Sequence, residues 1–200
     1  MITDRVNQIA RRVPNWLVYI LGISPAGWFL YLGLTGGLGA EPIKSLEHEL
    51  GEFALKLLIA GLCITPLRKH LGVNLIKFRR AIGVLAFTYV FSHLLVWLVL
   101  DVQIVSQIWA DILKRPYITV GMVGFVLMIP LVVTSNNLSV RKLGVRWRKL
   151  HKLTYGIAFV GALHFVMVAK GIQIEPISYM LVVIGLLALR VPKKTLPLQR

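Results

Sequence analysis

The sequence is short of what most soluble functions require. Only 16% of its 200 residues are charged, where a soluble domain carries about 25%. Acids are scarcer still, with 8 Asp and Glu against 23 Lys and Arg. Cys63 is the single cysteine, so no disulfide can form within one chain. No C-x-x-C-H segment offers a covalent haem attachment. No Gly-rich dinucleotide fingerprint and no phosphate loop is present, which removes the commonest nucleotide-binding folds. No internal repeat or low-complexity segment is evident. The net charge of +15 would suit nucleic acid if it covered one polar surface. Here the basic residues flank apolar runs, which argues against a nucleic-acid partner.

What fills the chain is apolar: 56% of residues are hydrophobic and the mean hydropathy is +0.73. Six runs read as membrane spans, at 15–34, 53–67, 81–100, 117–134, 153–169 and 176–190. They predict an all-α fold, one polytopic six-helix membrane domain over residues 1–200. The first run follows a basic start, but it is too long for a signal peptide and no small-residue cleavage site follows it. The second and sixth runs are short and call for tilt or local thinning of the bilayer. Pro25 and Pro130 fall inside spans, where neighbouring helices can satisfy the freed carbonyls.

Charge orients the bundle. Arg5, Arg11, Arg12, Arg68, Lys69, Lys77, Arg79 and Arg80 fall on one side. So do the 141–152 basic segment and Arg190, Lys193, Lys194 and Arg200. Lys44, Lys56, Lys114, Arg115 and Lys170 fall on the other, with every acid except Asp4. The positive-inside rule then predicts both termini in the cytoplasm. On the outer side, Gly36, Gly37 and Gly39 keep the start of the 35–51 connection from forming a helix, and Glu41-Pro42 marks a turn. Connection 101–116 has amphipathic spacing at Val102, Val105, Ile108, Trp109 and Ile112, which predicts a short surface helix.

Two histidines lie at membrane depth. His93 is 12 residues beyond Ala81 and His164 is 11 beyond Leu153, or about 18 and 16 Å along helices running the same way. Ionisable residues at that depth are costly without a partner and mark candidate sites. Two imidazoles at matched depth can take both axial positions of a haem iron. A hydrogen-bonded structural pair and a proton or metal pathway are the competing readings. Gly83, Ala86, Gly156, Ala158, Gly161 and Ala162 would let a flat macrocycle approach, although small residues also serve plain helix packing. His151 sits at the basic rim, and its ring points about 140° away from that of His164 on an ideal helix. It reads either as a ligand of a second haem, or a contact to a flavin or quinone beside Arg79, Arg80 and Trp147, or as an interfacial residue. His48, in LEHELGEF, reads as a helix cap, a neighbour of a quinone or cofactor edge, or a solvated loop residue. Lys56 reads as a residue snorkelling outward, or as a partner of Glu52 or of a haem carboxylate, and Lys114 and Arg115 read either as holders of haem propionates at the outer rim or as orientation anchors.

Several segments together carry a family resemblance: GGLGAEP (36–42), LKLLIAGLCITPLRK (55–69), SHL around His93, KRPYITVG (114–121), RKLGVRWRKLHKLTY (141–155) and LALR (187–190). In order and spacing they resemble the MsrQ (YedZ) family, within the ferric-reductase-like transmembrane group. The resemblance implies a bacterial inner-membrane protein carrying b-type haem and FMN. It implies electrons taken from the quinone pool, or from a cytosolic flavin reductase, and passed to MsrP, a periplasmic molybdopterin enzyme that reduces methionine sulfoxide in oxidised proteins. It places the family's histidines on His93, His151 and His164. Position 80 is Arg where a two-haem core would have histidine. Two rival expectations are a stand-alone membrane ferric or quinone reductase, and a haem-free transporter or scaffold with buried histidines.

Overall fold

The computed structural model describes residues 2–190, and every regular element among them is helical. Lys193, Lys194 and Arg200, which enter the charge argument, lie outside the described residues. The order is α1 (Ile2–Arg12), α2 (Asn15–Leu34), α3 (Pro42–Leu71), a short 3-10 turn (Ile76–Phe78), α4 (Arg79–Val96), a π-helical turn (Trp97–Val102) and α5 (Val105–Lys114). Then come α6 (Pro116–Val133), α7 (Asn137–Leu143), α8 (Val145–Leu150), α9 (Leu153–Val168) and α10 (Ile174–Ala188).

Five stretches are long and apolar enough to cross a membrane: Asn15–Leu34, Pro42–Leu71, Ile76–Val102, Pro116–Val133 and Val145–Val168. By length and composition they give the chain the form of a multi-pass membrane protein. The sixth predicted span is the apolar helix α10, whose 15 residues reach only about 22 Å. The second span is not short. Its helix begins at Pro42 rather than 53 and runs 30 residues, about 45 Å. Two features of the sequence extend it. Proline suits the first helical turn, where its missing N–H is not needed, and Leu46, Leu50 and Ala54 recur every fourth residue on one buried face. The 35–41 stretch stays non-helical beyond Thr35, with Gly36 and Gly39 at φ of 80° and 83°. The amphipathic 101–116 connection does contain a helix, α5.

The core is gathered between α3, α4, α6, α9 and α10. Leu55, Leu58, Leu62, Ala86, Met128, Ile157, Ala158, Ala162 and Val183 form one buried cluster. Ala86, Ala158 and Ala162 are fully buried in it, so these small residues serve close helix approach. The opposite faces carry exposed Trp28, Leu30, Val126 and Val182, the apolar exterior that a helix facing lipid presents.

Backbone groups released inside the spans find partners. Pro66 has no N–H for the carbonyl of Leu62 four residues back, and the Arg190 guanidinium from the far end of α10 donates to it. Pro25 likewise frees the Leu21 carbonyl, and the Ser24 hydroxyl donates to it at 2.9 Å. Helix α2 has no buried residue of its own and is tied to α4 by Tyr89. That hydroxyl donates to the Gly22 carbonyl at 2.8 Å and accepts from the Ala26 N–H at 3.0 Å. It is inserted between the two groups that an α-helix would pair directly.

At one end of the bundle α1 docks on the α3–α4 connection. The Asn7 amide donates to the Gly72 carbonyl and its oxygen accepts from the Asn74 N–H, while Lys77 donates to the Arg11 carbonyl. The N-terminal segment and the second connection, assigned to one side from their charge, thus touch.

Candidate functional site

Two cavities occupy the bundle, one toward each end. The first is a space of about 670 Å³ that holds His93, His164 and His48, with Glu41, Lys44, Asp101, Arg115 and Lys170 among its charged lining residues. The second, about 590 Å³, holds His151 with Lys77, Arg79, Arg80, Arg148, Lys152 and Arg190, and among the described residues no Asp or Glu lines it. Both fall in the size range of small-molecule sites. Leu58, Met128 and Ile157 line both cavities and belong to the buried core, so they stand between the two spaces.

His93 comes from the last turn of α4 and His164 from the last turns of α9. Their ring centroids are 6.2 Å apart and their planes cross at 82°. The matched depth read from the sequence corresponds to real proximity. Each ring is held by one backbone carbonyl. His93 Nδ1 lies 2.8 Å from the Glu47 oxygen, and His164 Nδ1 lies 2.7 Å from the Tyr117 oxygen. A carbonyl only accepts, so each Nδ1 carries the proton and each Nε2 keeps its lone pair, the form of imidazole that binds a metal. A metal–imidazole bond is about 2 Å and a ring nitrogen lies about 1 Å from its ring centre, so one metal between two rings sets their centroids about 6 Å apart. The observed gap and donor set fit that arrangement. The Glu47 carboxylate is 4.0 Å from His93 Nε2, too far for a hydrogen bond.

Sequence reasoning missed the residues that seat these rings. A Cβ at Gly51 would stand 3.0 Å from His93 Nδ1, and a Cβ at Gly121 would stand 2.9 Å from His164 Nδ1. The only available signal was a glycine inside each of two apolar helices. The glycines that had been singled out behave differently. A Cβ at Gly156 or Gly83 would meet nothing within 4 Å, and one at Gly161 would make ordinary contact with Leu55 and Leu58. His48 is neither cap nor loop residue. It lies within α3, exposed, with its ring edge against Phe165 at 5.6 Å. Lys56 pairs with Glu52 at 2.7 Å as the spacing indicated, and Glu52 also accepts from the Tyr179 hydroxyl at 2.6 Å. Arg115 pairs with Asp111 at 3.2 Å.

In the second cavity His151 is stacked on Trp147 with centroids 3.9 Å apart. Thr134, absent from the sequence reading, anchors both. Its carbonyl accepts from the Trp147 indole at 2.8 Å. Its hydroxyl donates to the Pro130 carbonyl at 2.6 Å and lies 3.1 Å from His151 Nε2. With the hydroxyl proton committed to Pro130, His151 donates from Nε2. Arg80 reaches the Asn137 side-chain oxygen and Arg79 the Thr65 hydroxyl, both at 2.7 Å. Arg190 lies over the Tyr155 ring at 4.6 Å, and its Nε is buried with no hydrogen-bond partner among the described residues. His151, Arg79, Arg80 and Trp147 therefore share one space, well separated by the core from the His93–His164 pair.

The profile of the family described as "Ferric reductase like transmembrane component" matches residues 49–162, a range that includes His93 and His151 and ends just before His164. A curated protein of Agrobacterium fabrum, "Protein-methionine-sulfoxide reductase heme-binding subunit MsrQ", is 48% identical over 182 residues. The match covers 90% of this chain and 85% of that one. The chain belongs to the MsrQ family. A second MsrQ subunit, from Rhizobium meliloti, is 51% identical over 180 residues, covering 90% of this chain and 83% of its own. A third, from Brucella anthropi, is 48% identical over 176 residues, covering 88% and 80%. No solved structure matches the chain. Membership accords with the all-helical, ferric-reductase-like membrane fold.

Proposed function

We propose that this MsrQ-family chain is a membrane electron relay whose b-type haem is held by His93 and His164. The single observation that carries the proposal is the pair of adjacent imidazoles, with centroids 6.2 Å apart and each Nδ1 tied to a carbonyl. The relatives' name, "heme-binding subunit", supports the same reading. When bound, haem iron supplies a one-electron carrier whose potential is set by its axial ligands and surroundings. The chain's own contribution is to fix both rings, exclude water with the surrounding helices, and offer Arg115, Lys44 and Lys170 in the cavity lining for the haem carboxylates.

The second cavity is proposed as the electron entry, with FMN as its ligand. Its support is chemical: several cations and, among the described residues, no Asp or Glu suit a phosphate, and the Trp147–His151 stack suits a flat ring. A second iron on His151 has less support. Its Nε2 is engaged with Thr134, and no other histidine lines that cavity. The electron donor is the quinone pool or a cytosolic flavin reductase. The acceptor is a periplasmic MsrP-type molybdopterin reductase that repairs oxidised methionine. The chain sits in the bacterial inner membrane as one six-span domain with both termini in the cytoplasm.

Stopped-flow mixing tests the relay. The purified, reduced chain is expected to be reoxidised by the molybdopterin partner plus methionine sulfoxide, and not by the sulfoxide alone. Reoxidation by ferric chelates or quinone with no response to the partner would instead indicate a stand-alone reductase. A colourless preparation would reject both.

A further inference from the structure

His93 and His164 are seated by the same local device on two different helices. On α3 the carbonyl of Glu47 holds one ring and Gly51 lies four residues on; on α6 the carbonyl of Tyr117 holds the other and Gly121 lies four residues on. The spacing has a steric cause. In an α-helix the carbonyl of residue i points at the N–H of residue i+4. The Cα–Cβ bond of residue i+4 leans back toward the helix N-terminus, over that carbonyl. A ring nitrogen that approaches the carbonyl from the side must enter the place of that Cβ. At Gly121 an added Cβ would lie 2.9 Å from both Nδ1 and Cε1 of His164, and at Gly51 3.0 and 3.2 Å from the same atoms of His93. Neither ring can keep its carbonyl bond unchanged beside a methyl group.

We infer that Gly51 and Gly121 are positioning residues: with the Glu47 and Tyr117 carbonyls they clamp the two imidazoles nearly perpendicular to each other. This rests on the reading that His93 and His164 share one haem iron. Each helix pair divides the work. α4 supplies a ring and α3 clamps it, while α9 supplies a ring and α6 clamps it. The clamp fixes which nitrogen faces the metal and also the rotation of each ring, recorded in the 82° between planes. That angle has a spectroscopic consequence. Two parallel imidazoles split the iron d orbitals strongly and give a rhombic ferric signal with three resolved features. Perpendicular rings leave two of those orbitals almost equal in energy and give one strongly anisotropic signal at high g.

Electron paramagnetic resonance of the purified ferric holoprotein tests this. The unmodified chain is expected to show the anisotropic high-g signal. Gly121→Ala and Gly51→Ala are expected to convert it toward a rhombic or high-spin form and to move the midpoint potential, Gly121→Ala the more. Gly185→Ala, which adds a methyl into open space away from both cavities, should leave both readouts unchanged. A rhombic signal from the unmodified chain overturns the inference. So does a haem-loaded Gly121→Ala chain with unchanged signal and potential. If Gly121→Ala does not fold or load haem, the unmodified spectrum and Gly51→Ala decide by the same criteria. Failure of the underlying haem reading looks different: the unmodified chain binds no haem, or keeps its low-spin signal when His93 or His164 is replaced.

Discussion

Arg190→Met removes the guanidinium that holds the Leu62 carbonyl released by Pro66. An unpaired buried acceptor costs about 1–3 kcal/mol. The lost contact with Tyr155 adds about 0.5–1 kcal/mol. Against these stands relief for the Arg190 Nε, buried without a partner among the described residues, so the net loss should be about 2 kcal/mol. The cause can be isolated by a second change. Pro66→Ala supplies an N–H that can pair with Leu62 within α3 itself, and in the Arg190→Met background it should recover about 1 kcal/mol or more. In the unmodified chain, where Arg190 already serves that carbonyl, the same change should recover much less. Unfolding titrations from mild detergent into SDS would measure all four variants as a double-mutant cycle. Equal effects of Pro66→Ala in both backgrounds would refute the reasoning, because they would mean that Arg190 and the missing N–H do not act on one carbonyl.

Other outcomes follow from the same contacts. Tyr89→Phe removes the hydroxyl inserted between Gly22 and Ala26 and should cost about 1 kcal/mol in the same titration, limited because the two freed groups can pair with each other. Thr134→Val keeps the volume but removes the hydroxyl facing His151, and should reduce FMN retained on purification while leaving the haem spectrum unchanged. Arg79→Gln with Arg80→Gln should also weaken FMN retention, and should reduce its sensitivity to added salt, since fewer charges then hold the phosphate. FMN occupancy per chain, measured by fluorescence after denaturation, checks both.

The parts of this protein visible in its sequence are those written as periodicity and depth. Apolar runs placed four of the five long spans, and the shorter α10, close to their bounds, and nearly equal depth in two predicted spans brought His93 and His164 together. The early start of α3 was harder to see, because Glu47, Glu49 and Glu52 make LEHELGEF look like a polar connection. Only the fourfold recurrence of Leu46, Leu50 and Ala54 reveals its buried face. The partners of the histidines were hidden for a different reason. Glu47 and Tyr117 act through main-chain carbonyls, which every residue possesses, so their side chains carry no trace of the role. Gly51 and Gly121 matter for an atom they lack. Thr134 is an ordinary residue at a helix end until Trp147 and His151 fold against it. Arg190 illustrates the converse: its task becomes legible once Pro66 is recognised as leaving a carbonyl four residues back without a partner.

The most direct measurement is the optical spectrum of the purified chain with pyridine haemochrome quantitation, taken beside His93→Ala and His164→Ala. The account predicts b-type haem with a Soret band and sharp α and β bands on reduction. It predicts loss of the low-spin species in each variant while the protein remains folded. An unchanged low-spin spectrum in either variant would contradict it.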